Sequence, residues 1–269
     1  MSRFAVVGPG RAGSTLAGAL AAAGHVPTGV WGRSPQQARR VAQKLRTTAH
    51  QGPDDALSSA EWIIFAVPDA AIASVAQDFA RSGFLAPQSV LIHLAGAWGP
   101  DILPGGWPRL AVHPCASLRG FGQSLQGMPL VAEADAPAAE AAAALIATST
   151  GAHLLQFPGT DRSRYHALCA LSANLVPALL YTITRQCVEL GFTREEADHL
   201  VTSLVESGWQ GVRSAGTAGF TGPLVRGDEQ TVQRHLAALD DHVPVLAQCY
   251  RLLSQVLVES LAATVQAEK

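Results

Sequence analysis

Several short apolar runs in the chain end on residues that can carry, donate or accept a proton. Leu91-Ile92-His93 is followed by Leu94-Ala95-Gly96, and Leu110-Ala111-Val112-His113 by Pro114-Cys115-Ala116-Ser117. Imidazole changes charge near neutral pH, so His93 and His113 are candidates for proton transfer. A lone histidine at such a place is usually a structural hydrogen-bonding residue, whereas two converging on one crevice suit a reaction centre. A third run, Trp62 to Phe65, ends in Ala66-Val67-Pro68-Asp69, where Asp69 reads as a helix cap rather than an acid.

Further along, Tyr165-His166 and Asn174 interrupt an otherwise apolar helical stretch. At about 100° per residue, His166 and Asn174 lie within roughly 80° of each other and both border one groove. The alternative is a buried amide that holds helices together. Phe220-Thr221-Gly222-Pro223 leads into Arg226-Gly227-Asp228. An arginine held by such a loop binds a carboxylate bidentately, as an organic-acid substrate requires; otherwise it pairs with Asp228.

The residues that would position a cofactor come first in the chain. Gly8-Pro9-Gly10-Arg11-Ala12-Gly13 sits between the apolar run Phe4–Val7 and an amphipathic helical run. This is the strand–turn–helix setting of a dinucleotide pyrophosphate: Gly8 for the turn, Gly10 for backbone approach to phosphate, Gly13 for close helix packing. The second strand ends in Gly32-Arg33-Ser34-Pro35. Arg33 stands where an NAD-preferring site places an acidic residue, so Arg33 and Ser34 point to a 2′-phosphate and hence NADP. Arg39 or Arg40 could add charge. Ala66-Val67-Pro68 and Leu94-Ala95 close strands beside the expected nicotinamide.

Strands are expected at Arg3–Val7, Pro27–Trp31, Trp62–Ala66, Ser89–Leu94, Arg109–His113, Leu130–Ala132 and His153–Phe157. Helices at Pro35–Leu45, Ala70–Ser82 and Ala136–Thr150 lie between them, the alternation of a parallel sheet wrapped by helices. After Pro158 only helical runs follow: Asp161 caps one reaching Glu189, Thr193 and Glu196 form a capping box for the next, and Asp228 caps a third to Asp241. A fourth covers Val243–Ala267. The expected division is an NADP-binding α/β domain over 1–157 and an all-helical substrate and dimerisation domain over 158–269. Leu252, Leu253, Val256, Leu257, Leu261 and Val265 continue an apolar stripe that a homodimer would cover.

With 269 residues, 48% of them hydrophobic, the chain is long and apolar enough for a large core. A net charge of −2 excludes bulk recruitment of nucleic acid or an anionic membrane. Cys115, Cys169, Cys187 and Cys249 are spaced by 54, 18 and 62 residues, matching neither a zinc cluster nor Cys-x-x-Cys, so they read as reduced core thiols with no metal. Phe4–Val7 is too short for a signal-peptide core, and Ala167–Ile183, with Ser172, Asn174, Pro177 and Thr182, reads as a buried helix rather than a membrane span. A soluble, cytoplasmic protein is expected.

Together these motifs resemble the Rossmann-like and DUF2520 proteins, within the 6-phosphogluconate dehydrogenase-like group that includes pyrroline-5-carboxylate and ketopantoate reductases. The segments that carry the resemblance are Gly8–Gly13, Val67-Pro68-Asp69, His93–Gly96, His113-Pro114, Tyr165-His166 with Asn174, and Thr221–Asp228. The resemblance implies an N-terminal NADP domain, a helical dimerising domain and a site between them. Related enzymes carry Lys-x-x-x-Asn on the first long helix of the second domain; Ala170 stands at that lysine here. His166, with His113 behind it, is the replacement proton donor. The resulting expectation is an NADPH-dependent reductase of a C=O in a small carboxylate-bearing metabolite. Asn174 would bind the reacting oxygen, and His93, Ser117, Thr221 and Arg226 the substrate. Reduction of a cyclic imine and a non-catalytic NADP(H)-binding regulator are the alternatives.

Overall fold

In the computed structural model the backbone is described for residues 1–267, and side chains in the last helix through Ala263, so Val265 of the apolar stripe lies outside the described side chains. The strands are Arg3–Val7 (β1), Val26–Trp31 (β2), Ala49–His50 (β3), Trp62–Phe65 (β4), Val90–His93 (β5), Arg109–Pro114 (β6), Pro129–Ala134 (β7) and His153–Gln156 (β8). They form one sheet in the order β3-β2-β1-β4-β5-β6-β7-β8. β6 and β7 pair antiparallel; every other neighbouring pair is parallel. Chain order reverses between β1 and β4, the crevice in which open α/β sheets bind ligands. The two-residue β3 went unseen in the sequence because a strand that short has no period.

Apolar residues run unbroken along the central strands because both sheet faces are covered. Phe4, Val6, Trp62, Ile64 and Ile92 pack on one side with Leu16 and Leu20 of α1 (Arg11–Ala22), α2 (Pro35–Leu45) and Ile146 of α4 (Pro137–Thr150). Ala5, Val7, Ile63, Phe65 and Leu91 face the other side, against Ile72 and Phe79 of α3 (Ile72–Arg81). A 3-10 turn over Asp69–Ala71 precedes α3, and Asp69 makes no side-chain capping bond there, so the expected cap is absent.

The long helix after β8 is not continuous α-helix. α5 (Arg162–Ala170) passes through a π-helical turn, Leu171–Leu175, into α6 (Val176–Glu189). Pro177 has no N–H to bond back to Ala173, and widening the preceding turn accommodates that loss. Asp161 caps α5, its carboxylate accepting from the Arg164 N–H at 2.9 Å. The chain separates into two compact units, 1–177 and 178–269, so α5 and the π turn belong with the sheet. The change from strands to helices, by contrast, comes at β8.

The second unit holds the rest of α6, α7 (Arg194–Ala215), α8 (Glu229–His242) and α9 (Pro244–Ala267). The Thr193–Glu196 capping box forms in full, and Asp228 caps α8. Arg251 of α9 pairs with Asp240 of α8 at 2.5 Å. Arg162–Glu189 is, by length and composition, long and apolar enough to cross a membrane. Its expected burial fails: Leu168, Leu171 and Leu175 are 56%, 49% and 59% exposed.

Candidate functional site

The glycine turn has the shape its sequence implies. Gly8 has φ +95°, and a Cβ there would meet the Ala66 backbone at 2.6 Å. At Gly13 a Cβ would stand 2.3 Å from the Gly8 carbonyl oxygen, so the helix touches the strand turn directly. Gly10 differs: a Cβ would meet nothing within 4 Å. The turn is therefore packed from behind by Ala66 and open in front. Gly10 is also the N-cap of α1 and supplies no side-chain cap, which leaves first-turn N–H groups facing that space. Open space in front of unpaired N–H groups suits an anion such as a pyrophosphate.

Beside the turn lies a cavity of about 290 Å³ whose lining includes Gly10, Arg11, Arg40, Lys44, Arg119 and Phe121. Four cations around a glycine turn suit a strongly anionic cofactor. Arg40, rather than Arg39, reaches it. Lys44 and Arg119 were not singled out in the sequence. Arg119 arrives from the β6–β7 connection, which is held on α1 by Thr15 Oγ1 donating to the Gly120 carbonyl at 2.9 Å. Lys44 stands 5.0 Å over the Phe121 ring. Arg33 is exposed beyond β2, and Ser34 caps α2, accepting from the Gln37 N–H at 3.3 Å. Ala66 and Val67 are only partly covered and Pro68 is exposed, whereas the side chains of Leu94 and Ala95 lie in the core, so only their backbone could face a ligand.

A second cavity, about 370 Å³, opens beyond the carboxyl end of β6. His113, Ser117, Tyr165, His166, Ala170 and Asn174 all line it. Tyr165 Oη lies 2.8 Å from Nδ1 of His113, and the His113 and His166 ring centres are 5.4 Å apart at 87°. Burial, then the neighbouring His166 and Arg162 charges, lowers the His113 pKa to about 4, so its imidazole is neutral at pH 7. Burial and the adjacent Cys115 raise that of Tyr165, which keeps its proton. Asn174 is exposed within the π turn, which removes the reading of a buried amide joining helices, and its amide has no hydrogen-bond partner among the described residues. π turns inside α-helices are frequent at functional sites.

His93 is not available to a substrate. It is fully buried, its Nδ1 accepts from the Ala95 N–H at 3.2 Å, and its Nε2 bonds the Gly99 carbonyl at 2.9 Å. Burial lowers its pKa to about 4, and its role is to shape the loop after β5. That loop matters: a Cβ on Gly96 would lie 2.6 Å from the His166 ring and 3.0 Å from that of His113. Arg162, 5% exposed, fastens α5 to the sheet through Glu133 on β7 at 2.5 Å and reaches the Gly96 carbonyl at 3.5 Å. Neither Tyr165's pairing nor Arg162's anchoring has a local sequence signal, because both partners are distant in the chain. Thr221 and Arg226 lie exposed in the second unit, in the turn before α8; among the described residues Arg226 makes no direct ion-pair contact with Asp228, whose carboxyl is held low first by Thr231 and also by the Arg226 charge. The four cysteines are half-buried free thiols rather than core residues.

Two family models match the chain: a Rossmann-like domain over residues 2–114 and DUF2520, a domain of unknown function, over residues 128–257. No curated protein matches the sequence. Among solved structures, one described as an NADP oxidoreductase from Bacteroides fragilis is 20% identical with a TM-score of 0.75, covering 96% of this chain and 98% of its own. A Thermotoga maritima protein is 21% identical with a TM-score of 0.67, covering 97% and 99%. The 1-pyrroline-5-carboxylate reductase of Streptococcus pyogenes is 14% identical with a TM-score of 0.61, covering 96% and 97%. At these identities the likeness is one of fold. The chain therefore carries a Rossmann-like domain followed by a DUF2520 domain.

Proposed function

We propose that this protein is an NADPH-dependent reductase acting on the C=O of a small carboxylate-bearing metabolite. The observation that carries the reading is the unpartnered Asn174 amide, which shares one cavity with His113, Tyr165 and His166 beyond the end of β6. The open face of Gly10 and the cations Arg11, Arg40, Lys44 and Arg119 support binding of the phosphorylated dinucleotide. Bound NADPH would supply hydride to the carbonyl carbon. The protein's part is to hold the oxygen and protonate it. Asn174 donates its amide N–H to that oxygen, and His166 gives the proton. His113, neutral, orients Tyr165 and does not act as the acid. Turnover of NADPH with ketopantoate, other branched 2-oxo acids and cyclic imines tests this, and Asn174→Ala should lose turnover while keeping NADPH affinity. Tight NADPH binding without turnover of any of them would instead favour a regulator.

Imine reduction is the second reading. No lysine lines the cavity, and Ala170 occupies the position where related enzymes place one. A protonated imine already carries the proton that a ketone must receive. The fold shared with a pyrroline-5-carboxylate reductase supports the same alternative.

A homodimer belongs to the same proposal. Leu168, Leu171, Leu175, Val176 and Tyr181 along the long helix, with Leu252 and Val256 on α9, are exposed apolar groups that water does not favour. A second copy would cover them. Light scattering that returned a monomer at micromolar concentration would remove this part.

A further inference from the structure

Cys115 and Cys169 have no part in the chemistry above, yet the fold brings them together with His113. Cys115 follows β6, and Cys169 stands one turn beyond His166 on α5. Their sulphurs and a His113 ring nitrogen all lie within 4.8 Å of one another. Cys115 Sγ is 3.5 Å from His113 Nδ1, within reach of a thiol–imidazole hydrogen bond. That is also the spacing of a sulphur at about 2.3 Å and a nitrogen at about 2.05 Å from one tetrahedral ion. The Cys115 backbone is fixed, its N–H donating to the Pro129 carbonyl at 2.9 Å. All three residues line the cavity beyond β6, and Tyr165 Oη stands 3.1 Å from Cys115 Sγ.

We propose that His113, Cys115 and Cys169 form a three-ligand site for a thiophilic divalent cation of the zinc class, with the fourth position open to the cavity. Two thiolates neutralise the ion, and a sulphur–sulphur–nitrogen set selects zinc-like ions over magnesium or calcium. Binding replaces two S–H bonds by two metal–sulphur bonds and releases two protons to solvent, with no change in oxidation state. The ion takes the His113 nitrogen from Tyr165, so metal occupancy and the Tyr165 hydrogen bond exclude each other. Three protein ligands with an open position is the arrangement in which zinc polarises a bound oxygen.

The probe is Co²⁺ titrated into the reduced full-length protein. The expected result is one ion per chain, a thiolate-to-cobalt charge-transfer band, its loss on adding Zn²⁺, and release of about two protons. Cys115→Ser and Cys169→Ser should each weaken binding by more than about 100-fold, beyond the roughly 10–100-fold cost of losing a group that only orients a ligand. Cys187→Ser should leave it unchanged, and Tyr165→Phe should retain it. Alkylation of the unmodified chain gives a second readout that needs no variant: Zn²⁺ should protect Cys115 and Cys169 and leave Cys187 reactive. A folded, reduced protein without the band, or a band that survives in both serine variants, would overturn the site. Neither readout depends on turnover, so the result stands apart from that of the reductase assay.

Discussion

The phenol oxygen of Tyr165 and Nδ1 of His113 sit 2.8 Å apart across 52 residues of sequence, joining the first turn of α5 to the end of β6. Because burial holds His113 neutral, this bond orients the cavity and does not supply a charge. Replacing His166 by Asn should lower kcat by about 10²–10⁴-fold, the usual worth of a positioned proton donor. Replacing His113 by Asn should cost less. It should also leave the pH profile of kcat/KM without a new limb between pH 6 and 8. A limb that vanishes in His113→Asn would show that His113 itself titrates in catalysis.

Two neighbouring glycines should respond in opposite ways. Gly10→Val places a side chain in open space, so the melting temperature should hold while NADPH affinity falls by at least about tenfold. Gly13→Val drives Cβ into the Gly8 carbonyl and should destabilise the fold by more than about 2 kcal/mol. Thermal melting with and without NADPH separates the two.

The cations near the glycine turn should set cofactor choice. Arg40→Ala and Arg119→Ala are each expected to weaken NADPH by about tenfold, the worth of one charge-assisted hydrogen bond, and NADH by less. The difference should shrink as salt is raised. Calorimetry that finds equal losses for both dinucleotides would place these residues away from the 2′-phosphate.

Acid should destabilise the protein over a definite window. His93 has a folded pKa of about 4 against an ordinary 6.5, so above pH 6.5 both folded and unfolded states leave it neutral and stability is full. As pH falls from 6.5 to 4 the unfolded chain takes up the proton first, and up to about 3 kcal/mol is lost. His113 titrates over the same window in the same direction. His93→Gln should therefore reduce the loss and not abolish it, as melting curves between pH 4 and 7 would report.

Glu133→Leu leaves the buried Arg162 guanidinium without its carboxylate. The expected cost is about 2 kcal/mol, below the roughly 3–5 kcal/mol of a fully buried pair because the Glu133 side chain is 36% exposed. A larger loss of activity than of stability would identify Arg162 as the anchor that positions Tyr165 and His166.

Local patterns set much of this architecture. Gly8, Gly10 and Gly13 act within one turn, and Asp161, Thr193, Glu196 and Asp228 cap helices through backbone groups three residues away. Such features are encoded over a few residues, so the strands other than β3, the helix starts capped by Asp161, Thr193 and Asp228, and the glycine turn are legible in the sequence. The site was not legible in the same way. His93 and His113 each follow an apolar run, yet one is sealed in the core and the other lines a cavity, because the loop after β5 hydrogen-bonds both nitrogens of His93 and only packs Gly96 against one side of His113. The 54-residue gap between Cys115 and Cys169 hid a cluster that the docking of α5 beside the end of β6 brings together. Side-chain identity and period act over a few residues; which of those residues meet is decided by how the helix after β8 docks on the sheet.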